Sequence, residues 1–240
     1  MTRYICFLIV MQLHLAAFSQ NLSGSQLLDK AIEYHDPDGN WSSFKASLTV
    51  TMNKPKSTER TTKIQLDLPS QFYSASVQKD GNTTTSTLDK ENCTLMYNGS
   101  TDIPLAVQDS LGLNCDRALM MRDYYTYLYG LPMKLKDPGT NVYEKIQQKT
   151  FKNKEYLVLK VDYDEAVGKD TWYFYFDPKT YAMEVYQFFH EESKNDGEYI
   201  LLTDTMEVNN IKIPKTRTWY YNKGDVYLAT DILTEAAELE

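Results

Sequence analysis

Acid–base chemistry in this chain would have to run through very few groups. Beyond the first nineteen residues only His35 and His190 offer an imidazole, the side chain whose ordinary pKa suits proton transfer near neutral pH. Asp170, His190 and Glu191 are the carboxylate–histidine set on which a hydrolase would draw, if folding brought them into one cleft. No Cys-x-x-Cys or His-x-x-x-His spacing occurs, so no zinc site is expected. Nor is there a Gly-x-Ser-x-Gly elbow or a phosphate-cradling glycine loop. Asp36, Asp38 and Asn40 look like the opening of a calcium loop. Gly39 is misplaced for one, however, and the twelfth position is Ser47 rather than glutamate, so a helix-ending turn is expected. No catalytic residue, metal or cofactor is assigned.

Binding chemistry has better candidates. Trp172, Phe174 and Phe176 alternate with Tyr173 and Tyr175, which places three large apolar rings on one face of a strand. They read as a cavity wall or as ordinary core. Met121 and Tyr125 share the apolar stripe of a helix, and Met133 is an adaptable side chain in the following loop. Pro132 and Pro138 stiffen that loop, Leu131 to Thr140, which could serve as a rim or lid. Its Lys134 and Lys136 could meet a carboxylate or phosphate head, or simply face water. Arg217 and Trp219 alternate on a late strand. The arginine could anchor a head group, hold a helix against the sheet, or make a surface salt bridge.

The elements that position these residues are mostly strands. Phe44, Ala46, Leu48, Val50 and Met52 alternate with polar residues, the signature of a half-buried strand. Ile64, Leu66 and Leu68 repeat the pattern. From Asp170 to Leu233 the chain is strand after strand, broken by Asp-Pro-Lys-Thr, Asn-Asp-Gly, Asn-Asn and Asn-Lys-Gly turns. Such short connections join antiparallel neighbours. Two helices are expected, Ser25–His35 and Asn114–Tyr129; the second is apolar enough to be covered on most sides. The count is about ten or eleven strands, with a single domain over residues 20–233 and an acidic tail, 234–240, that frays.

Bulk properties narrow the setting. Arg3, an interrupted apolar stretch and Ala17-Phe18-Ser19 read as a signal peptide over residues 1–19, too short to span a membrane. Cys6 lies too early to carry a lipid anchor. A soluble protein, periplasmic or secreted, is expected. The net charge of −8 argues against nucleic acid as a partner. Beyond the leader only Cys93 and Cys115 remain, and an even pair in an exported chain suggests a disulfide; two free thiols are the alternative.

The order helix, strands, helix, strands in an exported chain resembles the LolA-like superfamily of periplasmic lipoprotein carriers. The segments Tyr124 to Thr140, Gly168 to Pro178 and Gly197 to Leu202 also resemble an uncharacterised secreted family of Bacteroidota. The resemblance implies a curved antiparallel sheet forming an incomplete barrel, closed by two helices around an apolar cavity; it implies no reaction. The expectation is a non-catalytic exported protein enclosing a lipid or other amphiphile. Met121, Tyr125, Met133, Trp172, Phe174, Phe176 and Trp219 would form the wall, and Lys134 and Arg217 the polar anchor. An envelope module with a filled core, whose tyrosine-rich outer face meets a protein or glycan, is the alternative, and a hydrolase the third reading.

Overall fold

Alternating hydrophobicity dictates the architecture. The computed structural model describes residues 22–239; the signal peptide expected over residues 1–19 lies outside them. The chain opens with helix α1 (Gly24–His35), capped by Ser23, whose hydroxyl accepts from the Gln26 N–H while the Gln26 side chain accepts from the Ser23 N–H. Five strands follow: β1 (Lys45–Asn53), β2 (Arg60–Asp67), β3 (Phe72–Lys79), β4 (Asn82–Asp89) and β5 (Asn92–Tyr97). Two helices come next, α2 (Leu105–Leu111) and α3 (Cys115–Gly130). The rest is sheet: β6 (Thr140–Val142), β7 (Gln147–Phe151), β8 (Lys154–Tyr163), β9 (Thr171–Phe176), β10 (Met183–Phe189), β11 (Glu198–Val208), β12 (Ile211–Tyr221) and β13 (Tyr227–Glu238).

All thirteen strands make one antiparallel sheet in the order β5-β4-β3-β2-β1-β13-β12-β11-β10-β9-β8-β6, with β7 also paired to β8. The sheet is curved and does not close, because β5 at one end has no partner at the other. Helices lie inside the curve: α1 against β8 and β12, α3 against β4 and β5. The main core fills this side, from Leu27, Leu28 and Ala31 of α1 to Leu48, Ile64, Phe174 and Ile200 of the sheet.

Asp36 does end α1. Its carboxylate accepts from the N–H groups of Asn40 (2.7 Å) and Trp41 (2.9 Å), fixing a turn rather than offering ligands to a metal. At this same turn the end of α3 presses so close that a Cβ on Gly130 would strike the Trp41 indole. The expected cysteine pair is joined: Cys93 on β5 bonds Cys115 at the start of α3, with Cα atoms 6.0 Å apart. This ties α3 to the edge of the sheet.

Four expectations change. There are thirteen strands and three α-helices among the described residues, because β6 and β7 are short and α2, seven residues long, has too little length to show a period. The acidic tail does not fray over Thr234–Glu238. It continues β13 and pairs with β1 (Ala46↔Glu238, Leu48↔Ala236), since β1 must satisfy its backbone on the side away from β2. Helix α3 is not covered all round: Leu119 and Met120 are exposed, as only one of its faces meets the sheet. Finally, the tyrosines of the outer face divide: Tyr143 and Tyr227 are exposed, others are not. Tyr156, Tyr173 and Tyr175 form a second, smaller core with Val158 and Val185. Lysine stems roof it, with Lys149 Nζ 4.4 Å from the centre of the Tyr173 ring and Lys154 Nζ 5.4 Å from that of Tyr156.

Candidate functional site

Side-chain size decides where the inner side is solid. On β9 and its neighbours the inward residues are large. Leu159, Phe174, Tyr186, Ile200 and Trp219 face one another across β8 to β12. The first four of these are buried, with α1 against Leu159 and the second half of α3 against Trp172 and Arg217. On β2 to β4 one inward row is large, Leu66, Tyr73 and Leu88, and the two beyond it are mostly small. Ile64, Ala75 and Ser86 form one row, Thr62, Val77 and Thr84 the next. A helix held above small residues leaves a hollow, since backbone spacing does not shrink with the side chains.

That hollow lies between β2–β4 and the start of α3. It measures about 350 Å³ and is walled by Tyr73, Val77, Leu113, Ala118, Met121 and Tyr125. Arg60 and Lys79 stand on its border and also border a second, wider depression of about 660 Å³. The latter is bounded by Met52, Tyr124, Trp219 and the turn Lys54–Thr58. The two spaces therefore meet at a shared cationic rim. A third depression, about 460 Å³, lies apart, where Tyr127, Tyr163 and Trp172 meet the loop after α3.

A polar row crosses the inner sheet beside the rim. Arg60, Met52, Asp231, Arg217 and Leu202 stand opposite one another on β2, β1, β13, β12 and β11. Arg217 is 1% exposed. Its guanidinium donates to the Leu128 carbonyl (3.3 Å) and the Pro214 carbonyl (3.1 Å) and lies 4.4 Å from the centre of the Tyr129 ring. Leu128 offers one of the last four carbonyls of α3, which no helical N–H can reach, and a cation is favoured there. Arg217 thus clamps α3 to the sheet. Asp231 accepts from the Trp219 indole N–H at 3.1 Å. Burial raises its pKa, while Arg217 and Arg60 pull it back down. Burial also raises the Tyr125 phenol, against the opposing field of Arg60.

The candidate wall is thus divided. Met121 and Tyr125 line the hollow, Trp219 the depression beside it, and Trp172 with Lys134 the separate third one. Phe174 and Phe176 are sealed in the core, as is Met133 nearly so. Lys134 pairs with Asp137 within the loop, and Lys136 reaches Asp29 of α1 at 2.6 Å. Arg60 and Lys79 were not singled out by the sequence. The legible signal was the run of small residues, Ala75, Thr84 and Ser86, on the inward face.

The two histidines separate completely. His35 is buried; its Nδ1–H donates to the Lys212 carbonyl (2.7 Å) and its Nε2 accepts from the Met183 N–H (3.0 Å), so the ring is the neutral Nδ1–H tautomer. Burial pushes its pKa down to about 4. His190 Nδ1 lies 2.7 Å from Asp170, a bond that raises the histidine pKa. The His190 side chain is 63% exposed, whereas Asp170 is less so and lines the third depression. Among the described residues no cluster of histidine, cysteine and carboxylate groups could hold a metal ion.

A family described as of unknown function, DUF6503, matches residues 2–236. This chain belongs to that family. No curated protein matches the DUF6503 chain in sequence. In structure it is similar to a LolA superfamily protein of Nitrosomonas europaea, at 9% identity and a TM-score of 0.53, covering 91% of this chain and 94% of the other. A candidate outer membrane lipoprotein-sorting protein domain of Vibrio parahaemolyticus gives 10% and 0.53, with 90% and 95% covered. A DUF1329 family protein of Desulfovibrio piger gives 7% and 0.51, with 89% and 92% covered. At such identities the likeness is one of fold, and the fold is LolA-like.

Proposed function

We propose that the protein is a non-catalytic exported carrier that takes up a lipid or other amphiphile at the α3 side of its half-barrel. The observation that carries this reading is the hollow of about 350 Å³ beneath α3, on the side of the sheet that elsewhere forms the core. Its size is near the lower end of the ~300–1,000 Å³ of small-molecule sites. An alkyl chain entering it would gain about 0.8 kcal/mol per buried methylene. Exposed Leu111, Leu119 and Met120 give α2 and α3 an apolar outer edge beside it. The relatives in fold are a LolA superfamily protein and a candidate lipoprotein-sorting domain, and a carrier role agrees with both. The disulfide and the leader-like residues 1–19 support a periplasmic or secreted location. No helix among the described residues is long and apolar enough to cross a membrane.

An envelope interaction module is the second reading, favoured by the solid packing around Phe174 and Phe176. Solvent extraction of the purified protein followed by lipid mass spectrometry separates the two. A stoichiometric amphiphile supports the carrier. An empty extract, together with no uptake of added alkyl amphiphiles, supports the module.

A further inference from the structure

The rim between the two connected spaces has a charge opposite to that of the whole chain. The protein carries a net charge of −8, yet Lys54, Lys56, Arg60, Lys79 and Arg117 all border the hollow or its neighbour. Among the described residues none of these five has a carboxylate within salt-bridge distance, although eleven other ion pairs form. The Arg60 Nε is buried and has no hydrogen-bond partner. A buried guanidinium donor without a partner is costly, and an anion that accepts from it removes that cost.

Three acidic groups bear on this rim: Asp231, in the same cross-strand row as Arg60, feels its field without pairing with it, and two others line the space. Asp80 accepts from the Thr58 hydroxyl at 2.6 Å. Glu198 is half-buried, and burial raises its pKa, which weakens its hold on a cation. Below the rim apolar Tyr73, Val77, Leu113 and Met121 share the lining with Thr84 and Ser86, and the volume suits one alkyl chain rather than several.

We infer that the site takes a single-chain amphiphile with an anionic head, a carboxylate or phosphate, which Arg60 and Lys79 grip at the rim while the chain lies against Tyr73, Val77, Leu113 and Met121. This rests on the carrier reading and narrows it to a ligand class. Arg60 supplies a planar donor fork that suits either head, and Lys79 a mobile point charge.

Calorimetric titration with four twelve-carbon probes below their micelle concentrations tests the assignment: dodecanoate, dodecyl phosphate, dodecanol and dodecyltrimethylammonium. The two anions are expected to bind about 10- to 100-fold tighter than the alcohol, as charge-assisted hydrogen bonds allow, and the ammonium weakest. The order of the two anions identifies the head. The double variant Arg60→Gln/Lys79→Gln should lose that advantage while its dodecanol affinity stays unchanged, which also shows that it is folded. Arg60→Lys/Lys79→Arg, which keeps both charges, should retain most of the advantage. Equal binding of all four probes, or a preference for the ammonium, overturns the anionic head and leaves the carrier standing. Binding of none overturns both.

Discussion

The two flanks of one inner sheet surface differ in the bulk of many of their inward side chains, and this separates scaffold from site. Across β8 to β12 the row Leu159, Phe174, Tyr186 and Ile200 is buried beneath α1 and the second half of α3. Across β2 to β4 the corresponding positions are Ala75, Ser86, Val77 and Thr84, and α3 spans a hollow. Both flanks are antiparallel sheet under helix. Smaller inward residues on β3 and β4 help leave one flank open where the other is core.

The contrast can be broken first on the solid flank. Phe174→Ala should lower the unfolding free energy by about 3–5 kcal/mol in chemical denaturation, because the surrounding rings cannot collapse into the space. A loss under ~1 kcal/mol would mean that this flank is also loosely packed. The same flank holds His35, whose folded pKa of about 4 lies below its ordinary 6.5. The unfolded chain therefore binds the extra proton first as pH falls. The contribution is fully present above pH 6.5 and fades between 6.5 and 4, by on the order of 3 kcal/mol. Denaturation across that range should show the slope, and His35→Gln should flatten it.

On the hollow flank the Cys93–Cys115 bond, with a sequence separation of 22 residues, holds α3 over its gap. Reduction should cost about 3 kcal/mol and speed hydrogen exchange in α3 before it does so in α1. Equal loosening of both helices would remove the distinction between the flanks. The smallest expected change in stability is at Ser86→Leu, which fills space already present. It should shift stability by less than ~1 kcal/mol while sharply reducing uptake of dodecanoate, read by calorimetry.

Much of this was legible in the residues, and the failures have physical causes. The period-two pattern from Phe44 to Met52 marked β1 because one face of it is core. The helix expected over Ser25–His35 was equally plain. Thr234–Glu238 looked like a tail because alanine and glutamate are poor strand formers. Its pairing with β1 is a tertiary effect that local propensity does not contain. Arg217 has an unremarkable strand neighbourhood, and only the end of α3 above it makes it a clamp. Large aromatics such as Phe174 and Phe176 fill space, whereas the hollow lies where small residues such as Ala75 and Ser86 stand opposite a helix.

Hydrogen–deuterium exchange with and without saturating dodecanoate tests the central claim most directly. The carrier account predicts slower exchange in β2, β3 and the first half of α3, with β8 to β10 unchanged. Protection confined to β8–β10 or the outer face, or no change anywhere despite excess ligand, would contradict it.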